Sequence, residues 1–442
     1  MSPLSELVSI QNQAYQNALS QIKLAPENEP VFEELKHLVN ADGAGSWPPR
    51  ATHGDTWPAV LRPYHDIYLE VAPYLSTENI STNNDVNTER RNSFRERVRK
   101  ALHERVNLPS VKGILSATEN EGNAAGITPP ASFNGFSACI AYMRHAYRWA
   151  LVPVVKVGQE KKIIDFPEEL TLPWSFICRR YGVTSKGGNI MTNYLCNFDE
   201  QGRIIYEFNG ALSELIRTAE YNFSYMFVAT ERFALPIYHE MATSIFHYNR
   251  GDKQACLVSL KAIVGQLPAL LRVFSKTLIE TQISTKVWMQ YVQGPAAWGA
   301  GEIINGEYIE YDGLSGSHAT FFRVADAFLA LAPYFSEEGM RRYIPESQRK
   351  LFQAMQDHGF REKATEAGDE LIGVEIENIL KQLRLFRATH RARIHKYLTV
   401  PAPERLIMTA GRSVLESEQI PEIDTAMKHL DGILEKRLKL TK

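Results

Sequence analysis

The chain has 442 residues, of which 44% are hydrophobic and 10% aromatic, and its formal charge is −2 at pH 7. Such a composition is that of an ordinary globular protein, and the length is sufficient for two domains. The small net charge excludes a global attraction to nucleic acid or to an anionic membrane, so we expect neither as a partner.

Two further features indicate a soluble protein of a reducing compartment. The first thirty residues mix polar with apolar side chains, so we expect no signal peptide, and no stretch elsewhere reaches transmembrane length. The cysteines lie far apart and form no CxxC pair, which favours buried free thiols over a disulfide framework or a zinc site. They are Cys139, Cys178, Cys196 and Cys256. We therefore predict a cytoplasmic location.

The first part of the chain, residues 1–186, is predicted to be a small mixed α/β domain with long loops. Residues 40–60 and 107–137 are rich in Gly, Pro, Ser, Thr and Asn, which is typical of loops. Two helices, the first charged and solvated, and one β-rich segment are predicted at Arg90–Val106, Ser137–Trp149 and Leu151–Val157. We place the domain boundary near Gly187, so that residues 187–442 form a large helical domain.

Long helical periodicity begins in this second part. Leu212–Arg250 has the spacing of a helix that is interrupted at Pro236, and Asp252–Thr281 continues the pattern. Proline lacks a backbone N–H and clashes with the preceding turn, which also predicts a kink at Pro268. Asp252 is of the residue type that caps helix N-termini, and we expect it to do so here.

A hairpin and a loop of small residues come next. Gly301–Glu310 is predicted to be a β-hairpin, because its central Asn-Gly pair supplies the positive φ angles of a two-residue turn. Gly313–Ser317 then leads into a helix predicted at Thr320–Ala332. The small residues suit a backbone that approaches a flat ligand closely, with Ser315 and Ser317 as donors to a carboxylate. An ordinary hairpin-to-helix connection explains the same pattern equally well.

The last predicted helix, from about Asp369 to Pro401, carries one imidazole on an otherwise apolar face. Spacings of three and four residues place one stripe of side chains on that face: Ile372, Ile376, Ile379, Leu383, Phe386, His390, Ile394 and Tyr397. A buried imidazole without a partner costs about 1–3 kcal/mol, so a hydrogen-bonding group or a metal is expected at His390. A single histidine on an apolar wall is also how a helix presents an axial ligand to heme iron.

Arg387 lies one turn before His390 and favours the ligand interpretation. An arginine beside a buried apolar face needs an anion, and a heme propionate would accept two of its N–H groups. On periodicity alone, however, such a histidine is more often a core residue bonded to a carbonyl than a ligand. Both interpretations stay open at this point.

Two other stretches start like catalytic motifs but are incomplete. His239–Thr243 begins like HExxH, yet Thr243 replaces the second histidine that a zinc site needs. Gly313–Ser317 does not fit G-x-S-x-G, and it follows a hairpin rather than a core parallel strand. Zinc and serine hydrolases are therefore disfavoured.

Taken in order, the segments of the second part resemble the indoleamine 2,3-dioxygenase-like heme superfamily. Arg387 and His390 fall where the family has its propionate-side arginine and proximal histidine, and a KY-x-x-x-PA run follows at Lys396–Ala402. Leu314–Leu331 is similar to the family's distal loop and the helix after it. Asp326 falls at the aspartate that pairs with the heme-side arginine.

The resemblance implies a mainly α fold, in which a large all-helical domain binds heme b and a smaller mixed α/β domain precedes it. Met191–Tyr194 is similar to the segment that opens the large domain on the distal side. Within it, Thr192 falls where the family carries a small or hydroxyl-bearing residue. His390 would then ligate the iron, with dioxygen and a small aromatic substrate as partners. The implied cofactor-binding residues are Arg387, Asp326 and Ser317, and those on the reacting face are Ser315, Gly316 and Thr192. We expect a monomer or a homodimer.

One departure concerns the substrate. Tryptophan-cleaving members hold the substrate carboxylate with an arginine where this chain has Met289, and their two distal phenylalanines fall on Ser284 and Thr285. A methionine cannot bind a carboxylate, which argues against ordinary conversion of tryptophan to N-formylkynurenine. The chain is also similar to the branch that contains the second enzyme of pyrrolnitrin biosynthesis, which rearranges a tryptophan ring.

Four functions follow as alternatives. The first is a heme-dependent dioxygenase of an indole or a related aromatic compound in secondary metabolism. The second is a heme monooxygenase or a ring-rearranging enzyme, which the substitutions at Met289, Ser284 and Thr285 favour. A heme carrier or sensor without turnover and a cofactor-free helical interaction protein complete the set.

Overall fold

The computed structural model shows a mainly α architecture, and the fold class predicted from the sequence is confirmed. A single two-stranded sheet accompanies the helices in the described part of the chain. The description covers residues 12–76, 81–121, 128–151, 156–333, 335–398, 431–432 and 434–441.

The helices before the hairpin are α1 (Asn12–Leu24), α2 (Pro30–His37), α3 (Arg62–Val71), α4 (Asn84–Arg105), α5 (Leu108–Glu121), α6 (Pro130–Trp149), α7 (Lys156–Gln159), α8 (Glu168–Tyr181), α9 (Ile190–Asn193), α10 (Glu214–Asn249), α11 (Lys253–Thr277), α12 (Thr285–Val287) and α13 (Gln293–Ala296). Short 3₁₀ turns occur at Gly54–Thr56, Ala72–Tyr74 and Leu195–Asn197, and π-helical turns at Leu38–Asp42 and Trp288–Val292.

The hairpin consists of β1 (Ala300–Ile304) and β2 (Glu307–Tyr311), which pair antiparallel. Asn305 and Gly306 in its turn have φ angles of 52° and 87°, so the predicted hairpin is confirmed. After it come a 3₁₀ turn (Gly316–His318), α14 (Thr320–Phe328), α15 (Glu337–Tyr343), α16 (Glu346–Asp357), α17 (Arg361–Glu366) and α18 (Glu370–Leu398).

Three long helices, α10, α11 and α18, pack side by side in the second part of the chain. The predicted interruption at Pro236 is wrong, because α10 continues through this buried proline and burial of its apolar face outweighs the lost backbone hydrogen bond. α11 likewise continues past Pro268. Its N-terminus is capped as predicted, since the Asp252 side chain accepts a hydrogen bond from the Ala255 N–H at 3.0 Å.

α11 is long and apolar enough to cross a membrane if length and composition alone are considered. It packs against α10 and α18, however, and it buries Leu260, Ile263 and Leu267 completely. A helix in the core of a soluble protein has the same composition.

Two predictions for the first part are wrong. Residues 107–137 are not one long loop, because α5 lies within them and buries Val111 and Leu115 where it packs on α8. α4 is not solvated on all sides, since it buries Phe94 and also Arg95, whose guanidinium donates to two main-chain carbonyls of α6. Tertiary packing decides both cases, and composition alone does not show it.

The β-rich segment predicted at Leu151–Val157 lies mostly outside the described residues, and α7 begins at its end. Within the described part of residues 1–186, the β-pairing is an isolated bridge from Ile163 to Gly301. The boundary near Gly187 stays a prediction.

A buried carboxylate joins the first part of the chain to α14. Glu231 of α10 is 1% exposed and accepts hydrogen bonds from Trp47 Nε1 and Tyr238 Oη, each at 2.8 Å, and from the Phe321 N–H at 3.1 Å. Burial raises the pKa of Glu231, while these donors act in the opposite direction by favouring the charged form. Because Phe321 lies in the first turn of α14, Glu231 fixes where that helix begins.

Glu231→Ala would leave three buried donors without their acceptor. Each buried donor left unsatisfied costs about 1–3 kcal/mol, so we expect the free energy of unfolding to fall by about 3 kcal/mol or more. Urea denaturation followed by circular dichroism measures the change. Glu240→Ala, on the same helix with a partly exposed carboxylate, should cost less than about 1 kcal/mol. Equal effects of the two substitutions would contradict the structural role of Glu231.

Candidate functional site

An aromatic wall surrounds His390 where α11, α14 and α18 meet. The imidazole lies 5.5 Å from the Phe386 ring at an interplanar angle of 20°, and 6.3 Å from the Phe274 ring at 84°. Phe322 of α14 stacks on Phe386 at 5.0 Å and 16°. The helical stripe of α18 thus continues into a wall built from three helices.

The His390 imidazole is neutral at pH 7. Burial, and to a smaller extent the charge of Arg437, lowers its pKa to about 4. The ring makes no hydrogen bond with any residue that the structure describes, so no described carbonyl takes the role expected for a core histidine. A neutral imidazole is the form that donates a lone pair to a metal.

One carboxylate joins α14 to α18 beside this wall. Asp326 forms a hydrogen-bonded ion pair with Arg387, and its other oxygen lies 3.4 Å from Nη2 of Arg323. The Arg387 and Asp326 side chains are only 10% and 11% exposed. The resemblance implied the first contact, whereas Arg323 was not predicted from the sequence. Its position three residues before Asp326 was the available signal, because side chains at that spacing share a helix face.

The small-residue loop, Gly313–Ser317, lies shortly before α14. Ser315 Oγ lies 2.7 Å from Ser317 Oγ and accepts a hydrogen bond from the Ser317 N–H at 3.3 Å, so these two predicted site residues contact each other. A Cβ atom added at Gly316 would meet no described atom within 4 Å. Open space therefore adjoins the loop at this glycine.

A second histidine, missed in the sequence analysis, follows the loop. His318 is 4% exposed and stacks flat on Tyr343, with ring centroids 4.7 Å apart and an interplanar angle of 7°. Burial lowers its pKa to about 3, with contributions from Arg323 and Arg437, so this imidazole is also neutral. Its Nδ1 atom is buried and has no hydrogen-bond partner in the described part of the chain.

Thr192 lies on α9 and is fully buried. Its Oγ1 donates to Asn193 Oδ1 at 3.0 Å, and its N–H donates to Asn189 Oδ1 at 2.9 Å. Among the described contacts, none joins Thr192 to the small-residue loop or to His390. Upstream of α9, a Cβ atom added at Gly187 would lie 2.7 Å from the carbonyl oxygen of Asp312, the residue before the loop.

Three residues that the resemblance gives as departures from the family pattern, Ser284, Thr285 and Met289, lie in or next to α12. Ser284 Oγ caps this helix by accepting from the Val287 N–H at 3.2 Å, and Thr285 Oγ1 donates to Glu280 Oε2 at 2.8 Å. Both hydroxyls are thus used locally to begin the helix. The Met289 side chain and residues 399–402 of the KY-x-x-x-PA run lie outside the described structure.

The residues around His390 fit a heme group. The neutral imidazole suits the iron, the stacked phenylalanines suit an apolar macrocycle, and Arg387 suits a carboxylate at its edge. Within the described residues, no three side chains of His, Cys, Asp or Glu cluster as they would around a protein-ligated metal ion. A single neutral imidazole is the donor that axial ligation of heme iron requires.

The family model for indoleamine 2,3-dioxygenase matches residues 137–432, more than half of the chain. No curated protein matches the chain. The matched span contains Thr192, the small-residue loop, Asp326 and His390, and it ends before Arg437.

Asp326→Asn is expected to lower the free energy of unfolding by about 3 kcal/mol, because it leaves Arg387 and Arg323 buried without their common counter-charge. Adding Arg387→Gln should recover part of this loss, since coupled residues are not additive. Urea titrations of the variants measure both effects. Glu337→Gln breaks the exposed pair with Arg341 and should cost less than about 1 kcal/mol. If Asp326→Asn lowers the free energy of unfolding no more than Glu337→Gln does, the importance of the buried pair is contradicted.

Proposed function

Because the chain belongs to the indoleamine 2,3-dioxygenase family, we propose that it is a heme-dependent oxygenase, with His390 as the iron ligand, that oxidises an indole or a related aromatic compound with dioxygen. The family itself consists of heme-dependent dioxygenases that act on tryptophan-like substrates. The observation that supports His390 most directly is its neutral imidazole, which makes no described hydrogen bond and lies on an aromatic wall inside the matched span.

Heme b, when bound, supplies the redox chemistry that activates dioxygen. The chain has three tasks beside it: to hold the cofactor, to orient the substrate and to exclude water. Phe274, Phe322 and Phe386 would limit the access of water on the side of His390, since their rings pack against one another without polar atoms. A dry environment also keeps the imidazole neutral and able to coordinate.

Arg387 would bind a carboxylate at the cofactor edge, and Asp326 would hold its guanidinium in place. A guanidinium has five N–H donors, so contact with Asp326 leaves further donors for a second anion. Arg323 shares the same carboxylate and keeps it from turning away. The ion pair thus orients Arg387. Orientation matters in addition to charge, because a cofactor edge has to be held in one position.

The opposite face would be shaped by Ser315, Gly316 and Thr192, with Ser317 turned to the cofactor. Gly316 is exposed and a Cβ atom there would meet no described atom within 4 Å, so a ligand could approach the loop backbone closely at this residue. Each serine hydroxyl keeps donor or acceptor capacity beyond the bond between Ser315 and Ser317. Thr192 belongs to this face by its position in the family pattern, without a described contact to the loop.

The substrate is proposed to be an indole or an aromatic amine of secondary metabolism that needs no arginine for recognition. Met289 stands where tryptophan-cleaving members have that arginine, and Ser284 and Thr285 serve α12 instead of presenting aromatic rings. The same observation favours a second candidate, a monooxygenase or a ring-rearranging enzyme. We further propose that the protein works in the cytoplasm, as a monomer or a homodimer and without a membrane or nucleic acid as partner.

His390→Ala is expected to abolish heme binding, because it removes the iron ligand that the described residues offer. Absorption spectra of the purified variants after heme supplementation, reduced and mixed with carbon monoxide, measure the Soret band. His103→Ala, which changes an exposed histidine of α4, should leave the spectrum unchanged. An unchanged spectrum and heme content in His390→Ala would refute the ligand assignment, and a colourless wild-type protein would favour a cofactor-free function.

Labelled dioxygen separates the two catalytic candidates. For a dioxygenase we expect the product of an indole substrate to carry two ¹⁸O atoms by mass spectrometry, whereas a monooxygenase inserts one and a rearrangement inserts none. Tryptophan and an indole without a carboxylate are the matched substrates, because Met289 cannot bind a carboxylate. Faster turnover of tryptophan would contradict the substrate proposal, and heme binding without any product would indicate a carrier or a sensor.

A further inference from the structure

We propose that His145 is a positioning residue of the candidate site, which holds the two chain segments on which the small-residue loop begins and thereby sets where Ser315 and Gly316 lie. His145 belongs to α6 and is 1% exposed. The proposal rests on the proposed function, because it explains how the reacting face of the same site is held in place.

The imidazole of His145 lies between two main-chain carbonyls from distant parts of the chain. Its Nδ1 atom is 2.8 Å from the carbonyl oxygen of Pro295 in α13, and its Nε2 atom is 3.0 Å from that of Gly187. Burial lowers the pKa of His145 to about 4, so the ring is neutral at pH 7 and carries one N–H. It therefore donates to one of the two carbonyls while its other nitrogen contacts the second. One side chain thus joins both segments.

Both segments also contact the beginning of the small-residue loop. The Leu314 N–H donates to the carbonyl oxygen of Ala296 in α13 at 2.9 Å. A Cβ atom added at Gly313 would lie 2.5 Å from the same Ala296 oxygen. On the other segment, a Cβ atom added at Gly187 would lie 2.7 Å from the carbonyl oxygen of Asp312. These distances leave no room for a side chain, so the backbone of the loop lies directly on both segments.

Two neighbours of His145 on α6 hold the segment that follows α13. Trp149 Nε1 donates to the carbonyl oxygen of Ala297 at 3.1 Å. Arg148 Nε donates to the carbonyl oxygen of Trp298, also at 3.1 Å. Together with the two carbonyls that face His145 and the loop, four successive carbonyls have a donor group within hydrogen-bonding distance. Because buried carbonyls need such partners, α6 fixes the orientation of this whole segment.

The position of the loop is therefore set at both ends. Its beginning lies on segments that α6 holds through His145, and its end leads to α14, which Glu231 holds at the first turn. Among the described contacts, none joins His145 to Ser315 or Ser317, so His145 would act through the two segments and not by touching a ligand. A site is only as precise as the residues that support its contacting groups.

Hydrogen exchange of the apoprotein tests whether His145 holds the loop. His145→Leu removes the donor and keeps a buried apolar side chain, so we expect the amides of residues 313–318 to exchange about tenfold faster, the equivalent of 1.4 kcal/mol. His145→Gln keeps one N–H donor and should accelerate exchange less. Mass spectrometry of peptic peptides measures these rates, with the peptides of α11 as an internal reference.

Tyr147→Phe is the matched control, because it removes another hydrogen bond of α6, the one that Tyr147 Oη donates to the Asp165 carbonyl at 3.0 Å. It should change exchange at residues 313–318 less than about twofold. Trp149→Phe provides a second variant in case His145→Leu fails to fold, and it should accelerate exchange at the same residues. Equal rates in these variants and the control, or an equal acceleration in α11, would overturn the proposal.

Carbon monoxide bound to the reduced, heme-loaded protein reports on the face that the loop would border, because its infrared stretching frequency depends on the groups around it. We expect this frequency to shift in His145→Leu and in Trp149→Phe and to stay unchanged in Tyr147→Phe. A general loss of stability would not shift it in the fraction that remains folded. Unchanged frequencies in all three variants would overturn the proposal.

The two measurements separate this proposal from the function on which it rests. A wild-type protein that binds no heme would refute the proposed function, whereas the exchange rates of the apoprotein would still decide whether His145 holds the loop. A wild-type protein that binds heme, together with a His145→Leu variant that behaves like Tyr147→Phe in both measurements, would refute the role of His145 alone.

Discussion

The buried ion pair between Arg387 and Asp326 is the interaction on which the candidate site depends. It joins α18, which carries His390, to α14, which follows the small-residue loop. Two charges removed from water are stable only while they stay together in good geometry, so the pair restricts how the two helices can slide or rotate. Phe322, one turn before Asp326 on α14, stacks on Phe386, the residue before Arg387 on α18, and this apolar contact restricts the two helices in the same way. Together they fix the distance between the imidazole and the loop.

The N-terminal end of α14, opposite to Asp326, is also held in position. Glu231 of α10 accepts a hydrogen bond from the first turn of α14 and holds Trp47 from the first part of the chain. The start of α14 is therefore set by a side chain in the helical core, and its end by the ion pair with α18. Because α14 is held at both ends, the loop that precedes it has a defined position. A site for a flat, rigid group requires such a fixed loop.

Burial also sets the chemistry of the imidazoles. His390 and His318 both have lowered pKa values, because desolvation and neighbouring arginines disfavour the charged ring. Desolvation is the larger cause for both rings, and Arg437 contributes to both, with Arg323 in addition at His318. Both imidazoles are therefore neutral, whether the ring of His318 contacts the cofactor or only packs on Tyr343.

The sequence by itself determined the features that depend on local backbone preferences: the stripe of α18 with its one imidazole, the Asn-Gly hairpin and the Asp252 cap. Each arises within a few residues, where helix period, turn geometry and capping act directly. Only the tertiary structure decided that α10 passes through Pro236, that Glu231 binds Trp47 across 184 residues, and that Arg387 donates to the main-chain carbonyl of Arg437. Contacts between residues so far apart depend on how whole helices pack, and no local pattern records that packing.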